Sequence, residues 1–180
     1  MAGRIAVVDG ENRFVRWEER RRIHEERLVH RSIYVLVFDA GRLLIQRRHR
    51  DKQTFPSHWD VSCAGHVEES DYPDPSDPDA GLDAVYQGVA RRELEEELGI
   101  QGPELVELAH VPPLAGVHYE QIRLYRTSAP GPFTLQAEEV EEVQFVTPAQ
   151  LAAMQTAGEP ITAALTHFSR WLAERGAWGP

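Results

Sequence analysis

Glu93, Glu95, Glu96 and Glu97 crowd four carboxylates into five positions, directly after Arg92. Ala90, Leu94 and Leu98 recur every four residues through the same run, which predicts a helix with an apolar stripe. At about 100° per residue, Glu93, Glu96 and Glu97 share a face beside that stripe, and Glu95 points away. Gly99 stands where such a helix would end, because glycine adopts the left-handed cap conformation cheaply. Three carboxylates on one face repel one another unless a cation sits among them. Hard oxygen donors suit Mg²⁺ or Mn²⁺, and an open cluster of this kind shares its metal with a phosphate. The alternative for the same charges is a solvated acidic face.

The elements around this helix follow from pattern and punctuation. Arg4–Val8 is predicted to be a strand, turned by Asp9-Gly10-Glu11-Asn12 into Arg13–Trp17, with a short helix over Glu18–Glu26. Ser32–Phe38 is the strongest apolar run and should be a buried strand. Asp39-Ala40-Gly41 turns it into Arg42–Arg47. A loop at Phe55–Trp59 then leads to a short strand over Asp60–Cys63. Residues 72–81 hold too much Pro, Asp and Gly for regular structure and form an exposed loop before the acidic helix, which begins near Leu82 or Asp83. Strands are expected at Glu104–Val111, Glu120–Arg126 and Val140–Val146. Thr147-Pro148-Ala149-Gln150 opens a helix through Gln155 with a capping box, and a last helix runs over Pro160–Arg175. Strands, helix, strands and helices in that order predict an α/β domain, with a central mixed sheet covered on both faces.

A chain of 180 residues suits one domain with a sizeable core. No stretch approaches the ~18 apolar residues of a membrane span, and the first residues lack the apolar run of a signal peptide. The single cysteine, Cys63, excludes an intrachain disulfide framework, and together these features lead us to expect a cytoplasmic protein. The formal net charge of −10 argues against nucleic-acid binding. That charge is uneven: residues 1–52 carry 13 Lys/Arg against 8 Asp/Glu, while the rest carries a net −15. The basic part could receive an anionic substrate, or its arginines could simply coat the surface.

The run Arg92-Glu93-Leu94-x-Glu96-Glu97-x-Gly99-Ile100 resembles the second half of the Nudix box, the signature of a hydrolase family. The resemblance extends over residues 4 to 155. It implies an α/β/α sandwich carrying an N-terminal hairpin extension, with 1–31 as hairpin and short helix, 32–155 as the core and 156–180 as a C-terminal helix. It also implies that Glu93, Glu96 and Glu97 ligate Mg²⁺ or Mn²⁺ with the Ala64 carbonyl, that Arg92 orients Glu93, and that a small-molecule diphosphate such as a nucleoside diphosphate derivative is hydrolysed. Ala64-Gly65-His66-Val67-Glu68 resembles the box opening, with Gly65 as its glycine. The spacing then departs from the family: if Asp71 stands for the upstream glutamate, about 13 residues have been inserted before Arg92, and the Pro/Asp loop is that insertion. Relatives also use a base glutamate from further down the chain. Glu138, Glu139, Glu142 and Glu120 are candidates, and Glu139 is the first choice. Arg47 and Arg48, at the end of a core strand, could meet a phosphate, and Phe55 and Trp59 could stack a base. Fold analogy suggests a homodimer joined through the hairpin.

A second resemblance competes. The hairpin, the short helix, His30-Arg31 and Cys63-Ala64-Gly65-His66 look like the isopentenyl-diphosphate isomerase branch of the superfamily. Those isomerases protonate an alkene with a cysteine directly before Gly-His, beside a metal held by histidines and glutamates. His24, His30 and His66 could mimic part of that metal site. Cys63, however, lies one position early, which in a strand sends its side chain to the opposite face. The intact glutamate set also belongs to the hydrolase pattern. A non-catalytic binding module with the same fold is the third reading.

Overall fold

The computed structural model describes residues 3–178. Its strands are β1 (Arg4–Val8), β2 (Phe14–Glu19), β3 (His30–Asp39), β4 (Arg42–Arg48), β5 (Trp59–Asp60), β6 (Cys63–His66), β7 (Val106–Val111), β8 (Glu120–Ser128) and β9 (Val140–Val146). Its helices are α1 (Arg20–Glu26), α2 (Leu82–Leu98), α3 (Pro148–Thr156) and α4 (Ala163–Glu174). All nine strands join one mixed sheet. β3, buried along nearly its whole length, is its hub: it pairs in parallel with β8 and antiparallel with β1, β4 and β6. β2 is an edge strand, paired to β1 alone.

Alternation along β3 separates two cores. Ile33, Val35 and Val37 face α2 with Val85, Tyr86, Val89, Ala90, Leu94 and Leu98. Tyr34, Leu36 and Phe38 face the opposite side, where α3 and α4 supply Leu151, Leu165, Phe168 and Leu172. The architecture is an α/β/α sandwich, as expected, with apolar stripes of helices covering both faces of the sheet.

Several boundaries move for identifiable reasons. The strand expected over Asp60–Cys63 is two strands. β3 and β4 stay paired only at Phe38↔Leu43 and Asp39↔Arg42 and then fork, so β5 pairs with β4 while β6 pairs with β3. Ser62 fills the fork: its hydroxyl donates to Leu44 O at 2.5 Å and accepts from Val37 N at 2.8 Å. The last helix begins at Ala163 rather than Pro160. The backbone before it is spent on β5, with Trp59 N donating to Pro160 O and Thr162 N to Trp59 O, and Thr162 then caps the helix by accepting from Leu165 N. The strand expected from Glu104 starts at Val106, and the helix expected from Glu18 starts at Arg20, because β2 continues through Glu19.

Candidate active site

α2 places the glutamates as the 3.6-residue period requires, but not equivalently. Glu97 is buried at 8 % exposure, and Glu93 is tucked against β6. Gly65 makes the second possible. It stands opposite Ile33 on the α2 side of the sheet, and a Cβ there would lie closer than 3.0 Å to Cγ, Cδ and Oε1 of Glu93. Glu96 lies outward, about half exposed, and Glu95 points to solvent. Glu93 and Glu97 are one turn apart in a poorly solvated space. Burial, opposed by the neighbouring Arg92, pushes the Glu93 carboxyl up to about 7. Burial and the charge of Glu93 push Glu97 up to about 8, although Gln46 Nε2 donates to it at 3.2 Å and the Cys63 thiol shares a hydrogen bond with it. Two such carboxyls, with Glu96 beside them, form a hard-oxygen donor set whose mutual repulsion a divalent cation would relieve.

Arg92 sorts its nitrogens among three carboxylates. Nε and Nη2 reach Asp71, each at 3.2 Å, while Nη1 lies 2.9 Å from Glu93 and 3.1 Å from Glu96. Burial opposes the charge, but Glu93 and Asp71 hold the guanidinium firmly protonated. Asp71 therefore touches Arg92, at the end of a single 3₁₀ turn (Glu69–Asp71) where it also accepts from Glu68 N at 2.8 Å. Ala64 lies in β6 opposite Tyr34, next to Gly65.

The other wall comes from the segment before β9. Thr134 N donates to Leu98 O and Gln136 N to Glu97 O, so residues 134–136 satisfy carbonyls of the last turn of α2. Gly99 permits this approach: its φ is +70°, and a side chain there would press on Thr134. Glu139 N then donates to Gln136 O, and the charge of Glu139 reaches Glu97. Glu139 pairs closely with Lys52, whose charge also bears on His66. Lys52 is the sole lysine of the chain, a signal present in the sequence that the motif reading passed over. Of the other candidates, Glu142 pairs with Arg47, Glu120 accepts from Tyr34, and Glu138 is exposed.

The expected substrate contacts fare unevenly. Arg47 is spoken for by Glu142 at 3.0 Å and Glu141 at 3.6 Å. Arg48 ties its own loop together, donating to Thr54 and lying 3.3 Å from Asp60. Trp59 is only 6 % exposed and packs into the α4-side core, where its backbone bridges to Ile161. Phe55 projects outward at 51 % exposure, with φ +50° and His58 beside it at 5.7 Å.

The opposite face of β6 carries a second cluster. His30, His66 and Glu120 bring ligand atoms within 4.8 Å of one another. The Nε2 atoms of His30 and His66 lie 3.7 and 3.9 Å from Glu120 Oε1, and the His24 ring is 5.2 Å from that of His66. His30 Nδ1 donates to Leu28 O at 2.8 Å, which leaves its buried Nε2 as a lone pair with no partner. Burial lowers His30 to about 4 and drives His66 well below the ordinary range, so both imidazoles are neutral and available as ligands. Cys63 lies on the other side, sealed in the α2-side core, where burial and Glu97 push its thiol well up. The strand alternation that separates Cys63 from His66 is as expected.

The NUDIX domain family matches residues 28–167. An uncharacterized Nudix hydrolase of Yersinia pestis is 30 % identical over 175 residues, covering 93 % of this chain and 85 % of its own length. YfcD of Escherichia coli K12 is 31 % identical over 157 residues, 83 % of this chain and 76 % of that one. Among solved structures, DR0079 from Deinococcus radiodurans superposes with a TM-score of 0.75 at 23 % identity, over 93 % of this chain and 97 % of that one. The NUDIX domain of Shewanella oneidensis NrtR, solved with ADP ribose, gives 0.57 at 15 % identity, over 80 % and 86 %. The chain belongs to the Nudix family. It is a Nudix hydrolase, of a family that acts on nucleoside diphosphate derivatives. No helix among the described residues is long and apolar enough to cross a membrane.

Proposed function

We propose that this hydrolase cleaves a diphosphate linkage in a nucleoside diphosphate derivative or related small molecule, using Mg²⁺ or Mn²⁺ held by Glu93, Glu96, Glu97 and the Ala64 carbonyl. The observation that carries the reading is the buried Glu93–Glu97 pair over Gly65, two carboxyls whose shared site disfavours ionisation of both without a cation. A bound divalent ion there supplies charge neutralisation at phosphoryl oxygens and acidifies water. Arg92 orients Glu93 through Nη1. Glu139, beside Glu97, accepts the proton of the attacking water, and Lys52 holds Glu139 in place and offers a cation to the diphosphate. Phe55, exposed and conformationally costly for a bulky residue, suits an apolar contact to the organic part of the substrate.

A second reading has its own observation. His30, His66 and Glu120 suit an ion that accepts imidazole beside a carboxylate, such as Zn²⁺ or Fe²⁺, which is the resemblance to the isomerase branch. Cys63 on the far face of β6 argues against isomerase chemistry. Incubation with a panel of diphosphates and Mg²⁺ should release phosphate or a monophosphate, and EDTA should stop it. No release, with isomerisation of isopentenyl diphosphate instead, would reverse the assignment. If Glu96→Gln leaves ligand binding unchanged and neither form turns over, the chain is a binding module.

A further inference from the structure

The inserted loop has an unusual anchor. Arg31, on β3, has the largest fully buried side chain among the described residues, at 0 % exposure. Its Nη1 donates to Tyr72 Oη at 3.0 Å and to Pro78 O at 2.6 Å, and its Nη2 donates to Asn12 O at 2.8 Å and pairs closely with Asp79. Nε completes the fork on Asn12 Oδ1 at 3.1 Å. Asp79 also accepts from Phe14 N at 3.1 Å, and Tyr72 packs edge-on against Trp17 at 5.2 Å. A buried guanidinium stripped of its acceptors is costly, so the loop cannot lift away without exposing or stranding that charge. Residues 72–81 are thus held at Tyr72 and at Pro78–Asp79, with 73–77 exposed between these anchors: they form a tethered wall, not a lid.

Arg31 also stands in line with the carboxylates. It shares the α2 side of β3 with Ile33, whose cross-strand partner is Gly65, the residue over which Glu93 packs. Val67 N donates to Arg31 O, and Asp71, next to Tyr72, grips two of the three Arg92 nitrogens. That grip leaves only Nη1 for Glu93 and Glu96. Freed from Asp71, the whole guanidinium would turn onto those two carboxylates and compete with a cation for them.

We infer that Arg31 is a positioning residue for the carboxylate site: by locking Tyr72, Pro78 and Asp79 it keeps Asp71 on Arg92, and so keeps Glu93 and Glu96 open to a divalent ion. The inference rests on the Mg²⁺ reading above. The test is Mg²⁺ titrated by calorimetry into metal-free protein, alongside amide exchange of residues 72–81 and 92–97. Arg31→Met should weaken Mg²⁺ binding by about 10-fold or more, the range known for outer-shell partners of metal ligands, with faster exchange in both segments. Arg31→Lys, which keeps the charge without the fork, should recover part of the affinity. Asp79→Asn, a milder change at a half-exposed residue, should show the same trend and serves if Arg31→Met does not fold. A folded Arg31→Met or Asp79→Asn that melts lower but binds Mg²⁺ as the parent does overturns the inference and leaves the proposed function standing. Absence of Mg²⁺ binding by the parent protein overturns both.

Discussion

Nε2 of Gln46 donates to Oε2 of Glu97 at 3.2 Å, joining β4 to α2 across the floor of the carboxylate site. Both residues are almost fully buried, 4 % and 8 % exposed. Glu97→Gln removes a proposed metal donor and should lower diphosphate hydrolysis by at least about 100-fold, more than the usual cost of an outer-shell partner. The same change should raise the melting temperature of the metal-free protein at pH 8, because a buried carboxyl no longer has to ionise. About 2–4 °C accompanies each kcal/mol in a chain of this size. A lower metal-free melting temperature with unchanged activity would contradict both roles.

The raised carboxyls set a pH dependence with a definite sign. Glu93 and Glu97 hold their protons up to about 7 and about 8, whereas in the unfolded chain they ionise near the ordinary 4.5. Between these limits the native state binds more protons than the unfolded one. Stability of the metal-free protein therefore falls as pH rises from about 4.5 through about 8. Divalent ions must displace those protons, so binding tightens with pH over the same window and releases acid. Calorimetry of Mg²⁺ binding at pH 6.5 in buffers of different ionisation enthalpy should report net proton release. Identical heats in all buffers would refute it.

Gly65→Ala separates stability from chemistry. The new Cβ would meet Cγ, Cδ and Oε1 of Glu93, the far part of a flexible side chain, and the backbone of Gly65 is not left-handed. The fold should lose little, within about 1 kcal/mol as for most substitutions outside special backbone positions. Mg²⁺ affinity should fall about 10-fold or more as Glu93 is pushed aside. Thermal melts and Mg²⁺ titration on one preparation decide the matter.

Lys52 offers a cleaner probe than most charges, being the only lysine. Lys52→Met leaves Glu139 unpaired beside Glu97 and removes the cation near the second cluster. We expect kcat to fall and KM to rise, together costing about 10²-fold in kcat/KM, in the range of general-base steps. Selective acetylation of Lys52, protected by substrate, should reproduce the loss.

The histidine cluster makes a stoichiometric prediction. Zn²⁺ should bind at about two sites per chain, and His66→Ala should remove the one built from imidazoles while sparing the oxygen site. Metal analysis after gel filtration reads this directly. Full retention of Zn²⁺ by His66→Ala would dismiss the second centre.

The local code settled more than the outline of the fold. Apolar alternation in β3, the four-residue stripe in α2, the Thr147 capping box and Gly99 depend on neighbours in sequence, so they could be read in one dimension, and with them the glutamate run and its family. Burial could not. Glu93, Glu96 and Glu97 share one helical face, yet only contact with Gly65 and Gln46, residues from β6 and β4, draws two of them inward and leaves the third half in solvent. The same holds for Trp59, drawn into the core by a bridge to Ile161, and for Arg31, whose partners lie up to 48 positions away. Periodicity assigns a face to a side chain, whereas the partner that desolvates or neutralises it comes from another segment, and only the packed sheet brings the two together.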